Sequence, residues 1–380
     1  MPSGFDGNVL ILSGDVPLLN VESISELLEI HRDLGNAGTL ISTVLEDPSG
    51  YGRIVRSRED FIGIVEQKDA TEEQRAIQEV NAGVYVFDFK LLKSSLGKVG
   101  LNNAQGEKYL TDVAGLLLEA GSKVSAHPIW DKWLVTGVND RAQLSEVAAE
   151  LNARIVRGWQ LAGVTVREPH STWIDITVSL GADAQIEPST RLHGLTRIGA
   201  GAVVGPDTTL VDVEVGENAR VVRTHADSSR IAAGANVGPF SYLRPGTELG
   251  ADGKIGGFVE TKNAKIGAGS KVPHLSYVGD AQIGEQSNIG AGTIFANYNG
   301  EKKHRTEIGS GVRTGSANVF VAPIKIGDGA YTAAGTVVRK DVEPGDLALN
   351  PKPQQNLAGW VIERRPGSVS AELAKKKLEK

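Results

Sequence analysis

Between about Leu180 and Val342 the chain repeats one short word: an aliphatic residue, a glycine, then about four small or polar residues. The pairs include Ile198-Gly199, Val204-Gly205, Val237-Gly238, Leu249-Gly250, Ile255-Gly256, Ile266-Gly267, Val278-Gly279, Ile283-Gly284, Ile289-Gly290, Ile308-Gly309 and Ile326-Gly327. Their steps (204 − 198 = 6, 249 − 237 = 12, 289 − 283 = 6) give a six-residue period with slips of one. Such hexapeptide repeats predict a parallel β-helix. Each repeat supplies one flat strand and one corner, and each coil stacks on the next at about 4.8 Å with its aliphatic side chain inside. The glycine is expected to permit a tight corner and to accept positive φ. A flexible Gly-rich linker would not keep an aliphatic residue in register with each glycine.

The first part of the chain has a different pattern. Val9 to Leu12 is a continuous apolar run, expected to be a strand of a buried parallel sheet. Val21 to Arg32 reads as an amphipathic helix, and Leu40 to Leu45 and Val84 to Phe87 as further strands. From Gly137 to about Arg157, Leu144, Val147, Ala148, Leu151 and Ile155 fall on one helical face, with Asn139 or Asp140 as N-cap. The predicted organisation is an α/β domain over 1–136, a helical linker over 137–160, a β-helix over 161–345 and a tail over 346–380 in which Ala371 to Lys380 is a short charged helix or a frayed end.

Composition narrows the chemistry. The 380 residues carry a net charge of −6, which implies no general nucleic-acid surface. There is no cysteine, so disulfides, thiolate metal sites and a cysteine nucleophile are excluded. The first seven residues have no basic n-region and no stretch has the length of a membrane span, so the expectation is a soluble cytoplasmic protein.

Several stretches carry candidate chemistry. Asp15 follows a strand at the edge where open α/β sheets bind ligands. It reads either as a carboxylate for a divalent cation or as a turn aspartate bonded to its own backbone. Gly50-Tyr51-Gly52-Arg53, Glu66-Gln67-Lys68-Asp69 and Asn81-Ala82-Gly83 are weaker signals of the same kind. In the β-helix the pair after Ile289-Gly290 comes only at Ile308-Gly309, a step of 308 − 289 = 19, and the inserted piece Asn297 to Arg305 is basic. Insertions in such folds often mark the binding face, here for an anion. No two of the seven histidines lie within twenty residues of each other, against a three-histidine metal site. His274 is either a general base or a structural histidine at a corner. Its company of Arg244, Lys262, Tyr277, Asn288, Asn297 and Tyr298 suggests an amine or hydroxyl attacking a phosphate-bearing acyl donor.

The stretches Arg244-Pro245-Gly246, Glu260-Thr261-Lys262, His274-Leu275-Ser276-Tyr277-Val278-Gly279-Asp280, Asn288 to Thr293 and Asn297-Tyr298-Asn299-Gly300 together resemble the bacterial family that joins glucosamine-1-phosphate N-acetyltransferase to N-acetylglucosamine-1-phosphate uridyltransferase. Ser13 to Leu18, Gly50 to Arg53, Glu66 to Thr71, Asn81-Ala82-Gly83, Gly106 to Asp112 and Gly137-Val138-Asn139 look like the same family, and Arg364-Arg365-Pro366-Gly367 like its actinobacterial branch. The resemblance implies a partial nucleotidyltransferase domain of Rossmann-like α/β type followed by a left-handed parallel β-helix, cytoplasmic and trimeric. It implies His274 as general base, and Arg244, Lys262, Tyr277 and Asn288 on glucosamine 1-phosphate. Ala291, Asn297, Tyr298, Ser316, Ala334 and Lys352 would lie along acetyl-CoA. Ser13, Gly14, Asp15, Gly52, Glu66, Asn81 and Asn139 would contact the nucleotide or sugar of a reaction between UTP and N-acetylglucosamine 1-phosphate, with Asp15 and Asn139 on Mg²⁺. The family's Gly-rich nucleotide loop is not among these residues, so weak uridylyl transfer and an unpaired sheet edge at Val9 to Leu12 are expected. Different classes of reading are a hexapeptide scaffold without catalysis, which has no need of His274 or a basic insertion, and an acyltransferase on another sugar nucleotide.

Overall fold

The computed structural model describes residues 4–350 and 354–378. It divides into two compact units, residues 1–154 and 155–380, and the division falls within the helix Arg141–Leu161.

The first unit is α/β. Its strands are β1 (Asn8–Ile11), β2 (Gly38–Val44), β3 (Arg53–Ser57), β4 (Asp60–Val65), β5 (Glu79–Asp88) and β6 (Val124–Pro128), in the order β4-β3-β5-β2-β6 with β1 also on β5. Only β2 and β6 run parallel; β1, β2 and β3 all pair with β5 antiparallel. The parallel, buried setting expected for Val9 to Leu12 is therefore corrected. Among the described residues β1 has β5 as its one neighbour, so it lies at an edge and is half-buried. An apolar run specifies burial, not the direction of its partner. The helix α1 (Val21–Asp33) is capped by Asn20, whose side chain accepts from the Ser23 amide at 2.9 Å, and it buries Leu27 and His31 against the sheet.

The second unit is a parallel β-helix with three flat faces per coil. On the first face Thr165, Gln185, Val203, Arg220, Asn236, Lys254, Lys271, Asn288, Arg313, Tyr331 and Leu347 pair in succession. The first step is 185 − 165 = 20, the following ones are 16–18 residues (236 − 220 = 16, 254 − 236 = 18), and 313 − 288 = 25 at the insertion. The last rung, Leu347–Ala348, carries the pairing a little past Val342. The aliphatic positions stack inside as one core, filled toward its later coils by Phe295 and Phe320 at 5.2 Å between rings. The tail contains the helices Trp360–Arg364 and Val369–Leu378.

Gly205 and Gly238 take positive φ, 104° and 100°, as expected, but the other repeat glycines named above owe their place to something else. The backbone of the next coil stands where their side chain would be: a Cβ on Gly199 would lie 2.6 Å from the Glu217 nitrogen, and one on Gly250 2.6 Å from that of Ala268. Positive φ falls mostly two or three residues later, often on non-glycines such as Asp183, Asn218 and Asp252. Coil stacking at strand-pairing distance, rather than corner geometry, selects most of these glycines.

Candidate active sites

In the first unit, the turn after β1, the turn before β3 and the start of β5 enclose a cleft of about 290 Å³ lined by Ser13, Asp15, Tyr51, Gly52, Glu66, Asn81, Gly83, Gly137, Asn139 and Gln143. Six of the residues singled out in the sequence thus converge; Gly14, exposed and with nothing near its α-carbon, does not line it. The Gly52 carbonyl accepts from the Asn81 amide at 2.8 Å, and a Cβ on Gly52 would stand 3.3 Å from Glu66 Oε1. Thr111 Oγ1 donates to Glu66 Oε1 at 2.9 Å and Ser13 Oγ to the Gly83 carbonyl at 3.0 Å. Asn81 Nδ2 donates to the Tyr85 hydroxyl at 2.6 Å; burial pushes that phenol up to about 12, so a neutral core side chain anchors Asn81 from behind.

Arg53 is the support that the motif alone did not reveal. It is 1% exposed, donates to the Tyr51 carbonyl and to Gln67 Oε1, and thereby ties the Gly50–Gly52 turn to the stretch carrying Glu66. Asp140, not Asn139, caps the following helix: its Oδ1 accepts from the Gln143 amide at 2.8 Å. Asn139 is left with its side chain free of hydrogen bonds among the described residues, as is Asp15. The Gly137 α-carbon brings its missing Cβ within 3.4 Å of Asp15 Oδ2, so the main chain closes on the carboxylate. A carboxylate and an amide oxygen at one cleft are hard oxygen donors of the kind that hold a divalent cation together with a ligand's phosphates. A larger cleft of about 470 Å³ beside β4 includes none of the candidate residues.

In the second unit His274 sits at the corner between the first and second faces. Leu275 takes φ 51°, and the His274 carbonyl accepts from Ser276 Oγ at 2.8 Å and from the Gly292 amide at 3.2 Å. The imidazole makes no hydrogen bond or ion pair among the described residues and is exposed. The same corner in the following coils is occupied by Ala291, Ser316 and Ala334: the Gly292 amide donates to His274, that of Ala317 to Ala291, and that of Gly335 to Ser316. Three of the small residues placed beside acetyl-CoA in the sequence reading therefore continue one column from His274. Asn288 lies on the first face, between Lys271 and Arg313.

The second face ends in a cationic cluster. Arg244 and Lys262 stand at the same place in successive coils, since Leu243 pairs with Thr261 and the Arg244 amide donates to the Thr261 carbonyl. Arg244 Nη1 bonds Glu260 Oε1 at 3.0 Å, and Lys262 Nζ bonds Asp280 Oδ1 at 3.2 Å. The insertion folds as a small hairpin, with Tyr298 bridged to Lys303 and the His304 amide donating to the Asn297 carbonyl at 2.7 Å. It returns Lys303 onto Lys262. The contact with Lys262, and that cation's charge, hold the exposed Lys303 below the usual lysine range, while the same contact and Asp280 raise Lys262. Tyr277 and Asn297 lie over Gly279, where a methyl group would run into both. Asp280 is the hub: it accepts from Lys262, from Asn263 Nδ2 at 2.9 Å and from Asn297 Nδ2 at 2.5 Å. Burial pushes its carboxyl up, but those three donors outweigh it and hold the group below its ordinary value.

Sequence reasoning missed Lys303 and Asp280. The basic run signalled the first; the second closes the stretch His274 to Asp280, within which the sequence assigned it no role of its own. Lys352 lies outside the described residues. No group of three or more His, Asp or Glu side chains among the described residues could hold a metal.

A nucleotidyl transferase family model matches residues 2–153. The bifunctional protein GlmU of Clavibacter sepedonicus is 57% identical over 375 residues, 98% of this chain and 76% of that protein. The bifunctional protein GlmU of Mycobacterium bovis (strain BCG / Pasteur 1173P2) is 57% identical over 380 residues, 100% of this chain and 77% of its own. Among solved structures, a Francisella novicida UDP-N-acetylglucosamine acyltransferase covers 56% of this chain and 78% of its own at 15% identity, with a TM-score of 0.31 that carries no argument. With the α/β unit, the β-helix and identity over essentially its whole length, the chain belongs to the bifunctional GlmU family of acetyltransferase–uridyltransferase enzymes.

Proposed function

We propose that the second unit transfers the acetyl group of acetyl-CoA to the 2-amino group of glucosamine 1-phosphate. The observation that carries this reading is an unpaired imidazole at one end of a face whose other end gathers Arg244, Lys262 and Lys303. Between the His274 corner and the level of Lys262 lie 279 − 274 = 5 residues, at most about 17 Å of extended chain. Long side chains from both ends and a sugar phosphate fill that span. The three cations would hold the phosphate, with Tyr277 and Asn288 beside the sugar. His274 would take a proton from the amine as its nitrogen attacks the thioester carbonyl. Backbone N–H groups would hold the oxyanion of the tetrahedral intermediate. Collapse would then expel the coenzyme A thiolate, which is reprotonated. Ala291, Ser316 and Ala334, continuing the His274 column, would leave room for the acetyl donor, with Asn297 and Tyr298 of the hairpin over it.

The site is open in one chain, and beside the His274 corner runs an apolar ridge: Phe240, Phe258 and Leu275 are 51%, 64% and 61% exposed, and the two rings stack at 5.3 Å. We take this ridge as the seat of a homotrimer with cyclic symmetry, in which neighbouring copies close the groove.

For the first unit we propose uridylyl transfer from UTP to N-acetylglucosamine 1-phosphate, giving UDP-N-acetylglucosamine and pyrophosphate. Asp15 and Asn139 would hold Mg²⁺, which supplies charge neutralisation between phosphates. Ser13, Gly52, Glu66 and Asn81, with Gly14 at the rim, would contact nucleotide and sugar. Reading pyrophosphate and thiol release side by side tests both halves, and no pyrophosphate release from UTP and N-acetylglucosamine 1-phosphate would contradict the second. Acetyl-CoA and UTP are both cytoplasmic pools, so a cytoplasmic location belongs to the same proposal. No helix among the described residues is long and apolar enough to cross a membrane.

A further inference from the structure

We infer that Asp280 is a positioning residue that couples the two substrates of acetyl transfer, by tying the cation that receives the sugar phosphate to the hairpin that covers the thioester. The inference rests on the functional reading above and goes beyond it, because it concerns how occupancy of one half of the site is felt by the other.

The side chain of Asp280 is 12% exposed, and three donors from two stretches of chain, Lys262-Asn263 and Asn297, converge on it. Lys262 Nζ approaches both oxygens, at 3.2 and 3.4 Å. Asn263 Nδ2 donates to Oδ1 at 2.9 Å, from the corner of the coil before. Asn297 Nδ2 donates to Oδ2 at 2.5 Å, from the first residue of the inserted hairpin. The hairpin's return is also fixed at this point, since the His304 amide donates to the Asn297 carbonyl at 2.7 Å. Lys262 thus meets the hairpin twice: through Asp280 at its base and through Lys303 at its return.

A phosphate arriving between Lys262 and Lys303 neutralises their mutual repulsion and draws Lys262 toward itself. The Lys262 ammonium then shares its charge between the phosphate and Asp280. The carboxylate responds through its remaining donors, of which Asn297 is the one that moves with the hairpin. A hydrogen-bonded carboxylate in a poorly solvated setting cannot give up one charged partner without strengthening the others. The hairpin is therefore drawn down when the sugar phosphate is bound, and a thioester beneath it gains contacts. By linkage, the thioester tightens the sugar phosphate by the same factor.

The test uses coenzyme A, which cannot acetylate, and glucosamine 1-phosphate, titrated by calorimetry into the full 380-residue chain. Wild type is expected to bind coenzyme A at least threefold more tightly when glucosamine 1-phosphate is saturating. Asp280→Asn keeps the shape but gives up the charge, and the ratio is expected to fall to about one. If circular dichroism shows that Asp280→Asn is not folded, Asn297→Ala is measured instead. It leaves the Lys262–Asp280 pair in place, and it should bring the ratio to about one with the affinity for glucosamine 1-phosphate alone within twofold of wild type. A wild-type ratio retained in the folded variant, or a ratio of one in a wild-type chain that acetylates glucosamine 1-phosphate, overturns the coupling and leaves the functional reading intact. A wild-type chain that does not acetylate glucosamine 1-phosphate overturns the reading, and the coupling with it.

Discussion

At the scale of the residue, the site is built by side chains that do little for the fold and by others that do little for the chemistry. His274 is exposed and without a side-chain partner, so His274→Ala should slow acetyl transfer by about 10²–10⁴-fold and leave the melting temperature within a degree or two. A parallel loss of stability would mean that the corner needs the imidazole. His31 is the converse case. Burial, opposed by Asp88, holds it below the usual histidine value, while its Nδ1 meets Thr39 Oγ1 at 3.0 Å. The folded chain therefore binds fewer protons than the unfolded one just below about pH 6.5, so this contribution is complete above that pH and is lost as pH falls. Melting of the first unit should drop between pH 7.5 and 5.5, and His31→Gln should shrink that drop. A steeper drop in the variant would reverse the sign argued here. The sequence made His274, Arg244, Lys262 and Asp15 legible because each belongs to a recognisable run. Asp280 closes the same run as His274, but its part was not legible there, because it comes from donors at Lys262-Asn263 and Asn297 in neighbouring coils. The Asp140 cap was legible only as one of two neighbours, a choice that backbone geometry made.

At the scale of the element, the period was plain and its cause was not. The aliphatic–glycine word correctly announced coils. The reason for the glycine, a neighbouring backbone about 2.6 Å from the missing Cβ, belongs to the stacking of two coils and is invisible within one. Gly199→Ala should therefore destabilise the β-helix by about 1–3 kcal/mol, measured by denaturant unfolding. An unchanged midpoint would show that the coils can part at no cost. Phe320→Ala opens the core where two aromatic side chains fill it, and about 3–5 kcal/mol should be lost. The third face of the coil carries alternating charge, with Arg230–Glu214 at 3.4 Å, Lys265–Glu248 at 2.8 Å and Lys325–Glu307 at 3.3 Å. Such exposed pairs add little stability and keep that face wet. The strand β1 illustrates the opposite limit of the sequence: its apolar run gave its existence, but its antiparallel pairing and edge position depend on β5.

At the scale of the whole molecule, two units of different construction carry two candidate sites, and the stronger case belongs to the β-helix. If its apolar corner seats a trimer, light scattering should give about 120 kDa, three times the 40.2 kDa chain, and Phe258→Glu should reduce both that mass and the acetyl transfer that depends on a closed groove. A fully active monomer would remove the shared groove from the account. The most direct measurement of the central claim is thiol release from acetyl-CoA by the 380-residue chain, across a panel of amino sugars with and without the 1-phosphate. Release is expected to be rapid with glucosamine 1-phosphate, slight with glucosamine, and almost wholly lost with both in His274→Ala. Release that ignores the phosphate, or that survives the loss of His274 undiminished, would contradict it.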